Sequence, residues 1–295
     1  MAQTTGVALA PLSVERPLDG RLGLNVPAGW WPTAASLKSF EAAGYGWVQV
    51  HSPPRATLTG SEAARHAAAL RAALDVGALR LVLHAPDDLL AADARPLAAL
   101  LDYASRVRAE LIVLHAANLP AGAPTREEER GLRRAGRLAE GLGVTLAVEN
   151  LAPVFGGEQR VSYDPRVMVD LVERVGSDAV RMCFDVGHAH IVGALETIDE
   201  AAPAVALFHL HDNFGDREHG SAPATVDPLR LDLHLPPGTG TVPWEAVAPV
   251  LLGHDAPLQL EVHPPHRPDA SGLATVTAQL LGGAGEESVN GCCGA

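Results

Sequence analysis

Imidazole and carboxylate side chains recur where short apolar segments of this sequence end. In MCFDVGHAH, residues 182–190, an apolar run leads into Asp185 and then into His188 and His190. Five further apolar segments end in the same way, at His84, His115, Glu149, His209 with His211, and Glu261. Mixed imidazole and carboxylate ligands suit Zn, Mn, Fe or Co better than Mg or Ca alone. We therefore expect Asp185 and His188 to bind divalent metal, with His190 as a structural neighbour.

A second pattern lies in LDLHLPPGTG, residues 231–240. Asp232 and His234 are one residue apart, and on an extended backbone such side chains point to the same side. The pair is therefore predicted to clamp a metal ion at two points. It belongs to a Pro- and Gly-rich stretch, residues 214–240, which is too long for a minimal strand-to-helix loop and is a candidate lid.

Eight apolar segments of strand length alternate with longer amphipathic stretches. They are RLGLNV (21–26), GWVQVHS (46–52), LRLVLHA (79–85), ELIVLHA (110–116), VTLAVEN (144–150), VRMCFDV (180–186), VALFHLHDN (205–213) and PLQLEVH (257–263). None alternates with polar residues as a half-exposed strand does, which is typical of parallel strands covered on both faces. The pattern predicts an α/β protein, a single-domain (β/α)8 TIM barrel over residues 18–281, between flexible segments 1–17 and 282–295. An open doubly wound sheet is the alternative, although no Gly-x-Gly-x-x-Gly follows the first segment.

Capping patterns mark the beginnings of two of the intervening helices. Thr125 is predicted to cap one helix, with Glu128 in the capping-box position. Asp164 precedes another helix that has Pro165 in its first position, and Gly176 is the predicted stop.

The barrel architecture would bring the polar strand ends together. In a parallel barrel the carboxyl ends of all strands lie on one rim, where active sites are built. Strand alternation turns Ala147 and Glu149 toward the barrel axis if Val148 faces the helices. By the same rule, the side chains of His209 and His211 point to the same face of their strand. Several carboxylates at such short range cannot all stay ionised unless cations neutralise them. A single histidine is more often structural, so the prediction of a metal site depends on the joint occurrence.

Composition excludes several classes of function. The formal net charge of −13 argues against a general affinity for nucleic acid. Lys38 is the only lysine, which disfavours Schiff-base chemistry. Cys183, Cys292 and Cys293 suggest no disulfide framework. The first residues do not resemble a signal peptide, and no apolar run approaches the roughly 20 residues of a spanning helix. We therefore expect a cytoplasmic protein without a membrane partner, and the sequence is compatible with a homo-oligomer.

The polar segments together resemble those of a known family. VLHAP, LIVLHAAN, LAVEN, MCFDVGHAH, FHLHDN, DLHLPPGTG and LQLEVH follow in this order. This series resembles the xylose-isomerase-like TIM-barrel superfamily, which contains sugar isomerases and epimerases and the type IV apurinic endonucleases. The resemblance covers the chain from about residue 79 to 265 and implies a metal-dependent enzyme.

The two branches of this superfamily imply different ligand sets. Similarity to the endonucleases implies three ions, held by His84, His115 and Glu149, by Glu149, Asp185, His209 and Glu261, and by His188, Asp232 and His234. Similarity to the epimerases implies a single ion on Glu149, Asp185, His209 and Glu261. In that branch the two glutamates exchange a substrate proton, and the position of His188 contacts the substrate. We therefore expect one to three ions of Zn, Mn, Fe or Co per chain.

The leading hypothesis is an isomerase or epimerase of a small sugar, sugar phosphate or polyol. Glu149 and Glu261 would act as acid and base, and His188 would orient a hydroxyl. The candidate substrate contacts are Trp30, Trp244, His211 and Arg217. The tryptophans could equally pack at the rim, and Arg217 could be an ordinary solvated loop charge.

Two alternatives remain open at the level of sequence. One is a phosphoester hydrolase with a di- or trinuclear centre like that of the apurinic endonucleases. The endonuclease branch has an aromatic wedge after the histidine of the third segment, where this chain has the acidic stretch 85–88, so a nucleic acid substrate is not expected. The other is a barrel that holds metal without catalysis, which predicts ligands closed on all sides.

Overall fold

Parallel strands form the centre of the molecule. The computed structural model describes residues 18, 20–27, 31–87, 89, 94–116, 119–155, 159–216 and 229–290. Within these ranges the strands are β1 Leu22–Asn25, β2 Trp47–His51, β3 Arg80–His84, β4 Leu111–His115, β5 Thr145–Glu149, β6 Val180–Asp185, β7 Val205–Leu210 and β8 Leu258–Leu260. Each strand pairs in parallel with the next, and β8 pairs with β1, so the sheet closes. The chain is a single-domain TIM barrel, as predicted, and the open sheet is excluded.

Helices connect successive strands around the outside of the barrel. In the described ranges the α-helices are α1 Ala34–Ala42, α2 Ser61–Leu74, α3 Ala94–Val107, α4 Arg126–Leu142, α5 Pro165–Val175, α6 Val186–Ile191, α7 Ile198–Ala201, α8 Trp244–Gly253 and α9 Ala270–Asn290. Short 3-10 helices lie at Arg55–Thr57, Val161–Tyr163, Leu195–Thr197, Ala202–Ala204 and Pro264–His266. None of the helices described combines the length and apolar character needed to cross a bilayer.

The predicted caps are right for α5 and wrong for α4. At α5, the Asp164 side chain accepts a hydrogen bond from the backbone N–H two residues on, Pro165 opens the helix, and Gly176 ends it with φ of 62°. Thr125 does precede α4, but its hydroxyl makes no capping hydrogen bond. Instead it accepts a hydrogen bond from Arg174 at 3.1 Å. The Thr125 hydroxyl therefore accepts its hydrogen bond from a side chain of α5, whereas the capping pattern predicted that it would accept one from the backbone of α4.

Side chains inside the barrel form an apolar layer below a polar one. The apolar layer consists of Trp47, Val82, Leu111, Val113, Ala147, Cys183 and Leu207. Val148, which alternates with these positions, belongs to the core that packs against the helices. Two residues beyond Ala147 and Cys183, at the carboxyl ends of β5 and β6, stand Glu149 and Asp185. The predicted alternation is thus confirmed, and the apolar layer forms the floor beneath the strand-end carboxylates.

The last helix extends beyond residue 281, where the barrel was predicted to end. Helix α9 runs to Asn290 and so includes residues 282–290 of the predicted C-terminal segment. Glycines within this helix are tolerated, because glycine inside a helix costs only about 1 kcal/mol relative to alanine. The predicted flexible segment 1–17 and the central part of the predicted lid, residues 217–228, lie outside the described residues.

Candidate metal centre

Strand register brings the predicted ligands side by side. His115 at the end of β4 pairs with Glu149 at the end of β5. Asp185 at the end of β6 pairs with His209 in β7. Neighbouring strands in a sheet are less than 5 Å apart, so closure of the barrel places imidazoles and carboxylates from distant parts of the chain on one rim. The ligands divide into three adjacent groups.

The central group consists of Glu149, Asp185, His209 and Glu261. Nδ1 of His209 lies 2.8 Å from Oε1 of Glu149, 3.5 Å from Oε2 of Glu261 and 3.6 Å from Oδ2 of Asp185. All four residues are buried, and one ligand atom from each lies within 4.8 Å of the others. Four donor atoms at this spacing can contact a single ion.

The rim group lies on one side of the central group. It consists of His84 and His115, which face the second oxygen of Glu149. Nε2 of His115 lies 3.3 Å from Oε2 of Glu149, and Nε2 of His84 lies 3.6 Å from it. The exposed Asp87 joins the same group with its carboxylate 3.8 Å from Nδ1 of His115. Glu149 therefore directs one oxygen to the central group and the other to the rim group.

The loop group lies on the other side of the central group. It combines His188 from α6, His211 from the residue after β7, and Asp232 and His234 from the loop before α8. Oδ1 of Asp232 lies 3.1 Å from Nε2 of His234, 3.6 Å from Nε2 of His188 and 4.0 Å from Nε2 of His211. The structure thus brings together all nine residues predicted as ligands, with His211 as an additional neighbour.

Within the three ligand groups, three buried carboxylate oxygens have no hydrogen-bond partner among the described residues. They are Oε2 of Glu149, Oδ2 of Asp185 and Oδ1 of Asp232. Burying a polar group without a hydrogen-bond partner costs on the order of 1–3 kcal/mol even when the group is neutral. The cost is larger for an ionised carboxylate. Each of these oxygens faces imidazole nitrogens at contact distance, and each belongs to a different carboxylate. The donor set therefore fits divalent cations.

Hydrogen bonds orient the imidazoles of these groups. Nδ1 of His84, His188 and His234 donates to the backbone carbonyls of Ala85, Asn150 and Glu261, at 2.8, 2.9 and 2.8 Å respectively. Nε2 of His209 instead donates to Oε1 of Gln49 at 2.9 Å. Metal-binding histidines are typically fixed in this way, because the bonded N–H leaves the second nitrogen as the ligand.

Asp212 holds the loop that carries Asp232 and His234. Its carboxylate accepts hydrogen bonds from the backbone N–H groups of Gly238 at 2.8 Å and Val242 at 3.1 Å, and from the indole of Trp244 at 2.9 Å. His234 itself has a left-handed backbone with φ of 50°. Such a conformation is unfavourable for a residue with a side chain and often marks a functional constraint.

Burial and neighbouring charge have opposite effects on ionisation in these groups. Burial disfavours the charged carboxylate of Glu149, but His209, His115 and His84 together outweigh it and lower the pKa of Glu149 well below the usual 4.5. Burial likewise disfavours protonated His188, but Asp185 and Asp232 outweigh it and raise its pKa well above 6.5. The carboxylate of Glu149 is therefore ionised at neutral pH, the form that binds a cation.

A cavity of about 370 Å³ opens onto the ligands. Seven of the nine predicted ligands line it, namely His84, His115, Glu149, His188, Asp232, His234 and Glu261. The cavity is also lined by Asn25, His51 and His263, which the sequence analysis did not single out. Burial lowers the pKa of both His51 and His263 to about 4, so both imidazoles are neutral. Both stand at the end of an apolar segment, the signal that identified the other histidines.

The two predicted substrate contacts that the structure describes, His211 and Trp244, do not line this cavity. His211 is fully buried within the loop group. Trp244 is also buried, because its indole bonds to Asp212 and its ring packs into the core. Trp30 and Arg217 lie outside the described residues. The structural role expected for His190 agrees with its contact to the hydroxyl of Thr241 at 3.0 Å.

Comparisons with known proteins agree with the fold. A family model described as "Xylose isomerase-like TIM barrel" matches residues 37–278. A D-tagatose 3-epimerase-like protein has 18% identity and a TM-score of 0.68, over 91% of this chain and 99% of that one. The 3-keto-D-glucoside 4-epimerase YcjR from E. coli has 13% identity and a TM-score of 0.64, over 88% and 98%.

A third solved structure contains a metal ion. The IOLI protein with a binding zinc atom has 17% identity and a TM-score of 0.60, over 93% of this chain and all of that chain (100%). At these identities the likeness to solved structures concerns the fold. No curated protein sequence gives a significant match.

Proposed function

Because this chain belongs to the xylose isomerase-like TIM-barrel family, we propose that it is a divalent-metal-dependent isomerase or epimerase. Its substrate would be a small sugar, sugar phosphate or polyol, and the reaction would be a proton transfer. Two of the similar structures are described as an epimerase or epimerase-like protein of sugars. The net charge of −13 disfavours a nucleic acid substrate.

The observation that carries the proposal is the position of Glu149 and Glu261. Both line the cavity, and both approach Nδ1 of His209, at 2.8 and 3.5 Å. They come from β5 and from the residue after β8, and β6 and β7 lie between these strands in the closed sheet. A substrate in the cavity would therefore meet carboxylates from two separate strands. One carboxylate can remove a proton from carbon while the other returns it on the opposite face.

The central group would hold the ion that assists this transfer. When bound, a divalent ion polarises adjacent substrate oxygens and so acidifies the neighbouring C–H bond. Glu149 and Glu261 would hold and move the proton. Gln49 fixes the orientation of His209 and Glu261, because it makes a hydrogen bond to each. His188, which lines the cavity, is proposed to orient a substrate hydroxyl when it is not bound to metal.

The cavity suits a substrate of this kind. Its volume of about 370 Å³ lies in the range of roughly 300–1,000 Å³ typical of small-molecule sites. Because seven of the predicted ligands line the cavity, a substrate could reach an ion bound there. This supports a reactive centre rather than a barrel that only holds metal.

Hydrogen–deuterium exchange at carbon tests the proposal directly. Metal-loaded protein is incubated in D2O with a panel of ketoses, aldoses and their phosphates, and NMR follows the loss of carbon-bound protons. We expect exchange beside a carbonyl in one class of sugar. Glu149→Gln and Glu261→Gln should each lower the exchange rate about 10²–10⁴-fold, the usual contribution of acid–base catalysis.

Metal content and folding are measured on the same samples, because Glu149 and Glu261 are also proposed ligands. Glu173→Gln, an exposed position on α5, is the matched control and should leave exchange unchanged. A Glu149→Gln protein that retains its metal and exchanges protons at the wild-type rate would rule out the proton-transfer role.

The shared position of Glu149 favours a second candidate function, phosphoester hydrolysis. Its two oxygens face two different ligand groups, at 2.8 Å from His209 and 3.3 Å from His115. A carboxylate shared in this way is typical of centres with two metals, which activate water for attack on phosphorus. Release of nitrophenol from nitrophenyl phosphate mono- and diesters, without any carbon-bound exchange, would establish this function instead.

A further inference from the structure

Asn25 lines the cavity but belongs to none of the three ligand groups. It is the last residue of β1, and it pairs with Gln49 in β2. On the other side of β1, Leu24 pairs with Leu260 in β8, so the parallel register places Asn25 beside Glu261. Asn25 therefore stands on the rim between one proposed acid–base residue and the glutamine that orients it.

Arg267 determines which way the side-chain amide of Asn25 points. Its guanidinium donates hydrogen bonds to the backbone carbonyl of Asn25 at 2.8 Å and to Oδ1 of the Asn25 side chain. Because a guanidinium only donates, the amide oxygen must face Arg267 and the amide nitrogen must face away. That nitrogen has no hydrogen-bond partner in the described part of the chain, yet it is not enclosed. Since the residue is otherwise buried, its N–H groups are accessible from the cavity that it lines.

The positive charge of Arg267 acts on the cavity through Asn25. Arg267 is half-buried, and in the described part of the chain its guanidinium bonds only to Asn25 and to the carbonyl of Val262, at 2.6 and 3.2 Å. No described carboxylate forms an ion pair with it. Burial accordingly lowers the pKa of Arg267. Hydrogen bonds in a chain polarise one another, so a cation on the amide oxygen strengthens the N–H groups of Asn25 as donors.

The rest of the cavity lining is poor in positive side chains. Apart from imidazoles, its described residues offer no cation, because they include neither arginine nor lysine. They do include four carboxylates, those of Asp87, Glu149, Asp232 and Glu261. A phosphate group is typically matched by a guanidinium directly, whereas Asn25 is a neutral donor. This end of the cavity therefore suits a substrate oxygen that is neutral when bound and gains negative charge only during the reaction.

We propose that Asn25, supported by Arg267, stabilises the substrate oxygen on which negative charge develops. The inference rests on the proposed function, because the charge arises when Glu149 or Glu261 removes a proton from carbon. The C–H bond breaks, the proton passes to the carboxylate, and the electron pair moves into the neighbouring carbonyl group. Its oxygen becomes negative and accepts a hydrogen bond from Asn25. Return of a proton to carbon restores the carbonyl. The group against β1 is then the carbonyl of a neutral sugar and not a phosphate.

Two measurements on metal-loaded protein test the role of Asn25. The first is the deuterium exchange rate with a saturating concentration of the sugar that the wild type exchanges fastest. The second is the binding of xylitol, a polyol without a carbonyl, by calorimetry. Asn25→Ala should slow exchange about 10²–10³-fold, the usual loss for one donor to a developing oxyanion. It should weaken xylitol binding only about 2–10-fold, the usual contribution of one hydrogen bond. Asn25→Asp keeps the contact with Arg267 but cannot donate, and it should exchange no faster than Asn25→Ala.

Arg267→Met tests whether the arginine acts through Asn25. Alone it should slow exchange, and in combination with Asn25→Ala it should slow exchange no further. Arg181→Met is the matched control. Arg181 is also half-buried and donates to backbone carbonyls, those of Pro203, Ala204 and Val205, but it lies near the start of β6, away from the cavity. It should change stability and leave exchange unchanged. Metal content and unfolding are measured on every sample.

The outcomes separate this inference from the proposed function. Wild-type exchange in Asn25→Ala would overturn the inference and leave the proposed function intact. Equal losses of xylitol binding and of exchange would do the same, because they would reduce Asn25 to a residue that binds substrate without stabilising charge. Additive losses in the double variant would overturn the role of Arg267. Faster exchange with phosphorylated than with free sugars would overturn the neutral substrate. A wild type that exchanges no sugar would contradict both proposals.

Discussion

Nδ1 of His209 lies 2.8 Å from Oε1 of Glu149, although 60 residues separate them in the chain. The opposite nitrogen of the same ring donates to Oε1 of Gln49 at 2.9 Å, and the amide of Gln49 donates in turn to Glu261. One buried glutamine thus fixes two members of the central group. Because Gln49 is not itself a ligand, its effect on metal binding can be separated from loss of a donor atom.

Gln49→Met should weaken metal binding at the central group by about 10–100-fold, since it removes the hydrogen bonds that orient His209 and Glu261. Chelator competition with Mn²⁺ or Zn²⁺ measures this effect. Gln259→Met is the matched control, because Gln259 is equally buried inside the barrel but its amide makes no hydrogen bond in the described part of the chain. It should leave metal affinity unchanged. Equal affinities in the two variants would mean that Gln49 does not orient the ligands.

Removal of metal should lower thermal stability. Four buried carboxylates, those of Glu149, Asp185, Asp232 and Glu261, would then lose the cations that offset them. At a metal concentration about 100 times the dissociation constant, binding contributes about 2.7 kcal/mol, or about 5 °C in a chain of this size. Differential scanning fluorimetry with EDTA, and then with added Zn²⁺ or Mn²⁺, checks the prediction. Ca²⁺ serves as the control ion because imidazole-containing sites disfavour it. Identical melting temperatures in all conditions would speak against bound metal.

The positions of the ligands could be predicted from the sequence because two general features of parallel barrels determine them. Strand alternation and the common rim of a parallel barrel suffice to bring Glu149, Asp185 and His209 together. Gln49 could not be found in this way, because an amide inside an apolar segment carries no sign of metal chemistry until barrel closure places it beside His209. The burial of Trp244 could not be predicted for a similar reason, since only the fold shows that Asp212 binds its indole.

A pH effect on stability is expected from His254. Burial lowers its pKa below the usual 6.5, although its hydrogen bond to the carbonyl of Ala202 acts in the opposite direction. Its Nδ1 also accepts a hydrogen bond from the backbone N–H of Ala256 at 3.0 Å, which requires a neutral ring. The folded protein therefore binds fewer protons here than the unfolded chain does. The stabilisation is fully present above pH 6.5 and is lost as the pH falls through the lower folded-state pKa.

His254→Gln keeps a donor and an acceptor but does not titrate, so it isolates this effect. Urea unfolding at pH 7.5 and pH 5.0 gives the loss of stability on acidification for each protein. The wild type should lose more stability than His254→Gln over this interval. A loss of the same size in both proteins would show that His254 does not contribute to the pH dependence.

Gly187 is predicted to tolerate no side chain, because its Cβ would occupy the place of the His211 ring. His211 cannot yield easily, since it is buried and stacked on His234 with centroids 3.9 Å apart. Gly187→Ala should therefore destabilise the fold by about 1–3 kcal/mol, the usual cost of overpacking. Gly141→Ala is the control: it lies in α4, where a Cβ meets no other atom within 4 Å, and it should stabilise by about 0.5–1 kcal/mol. Urea unfolding measures both changes, and a neutral Gly187→Ala would mean that the ring of His211 is free to move.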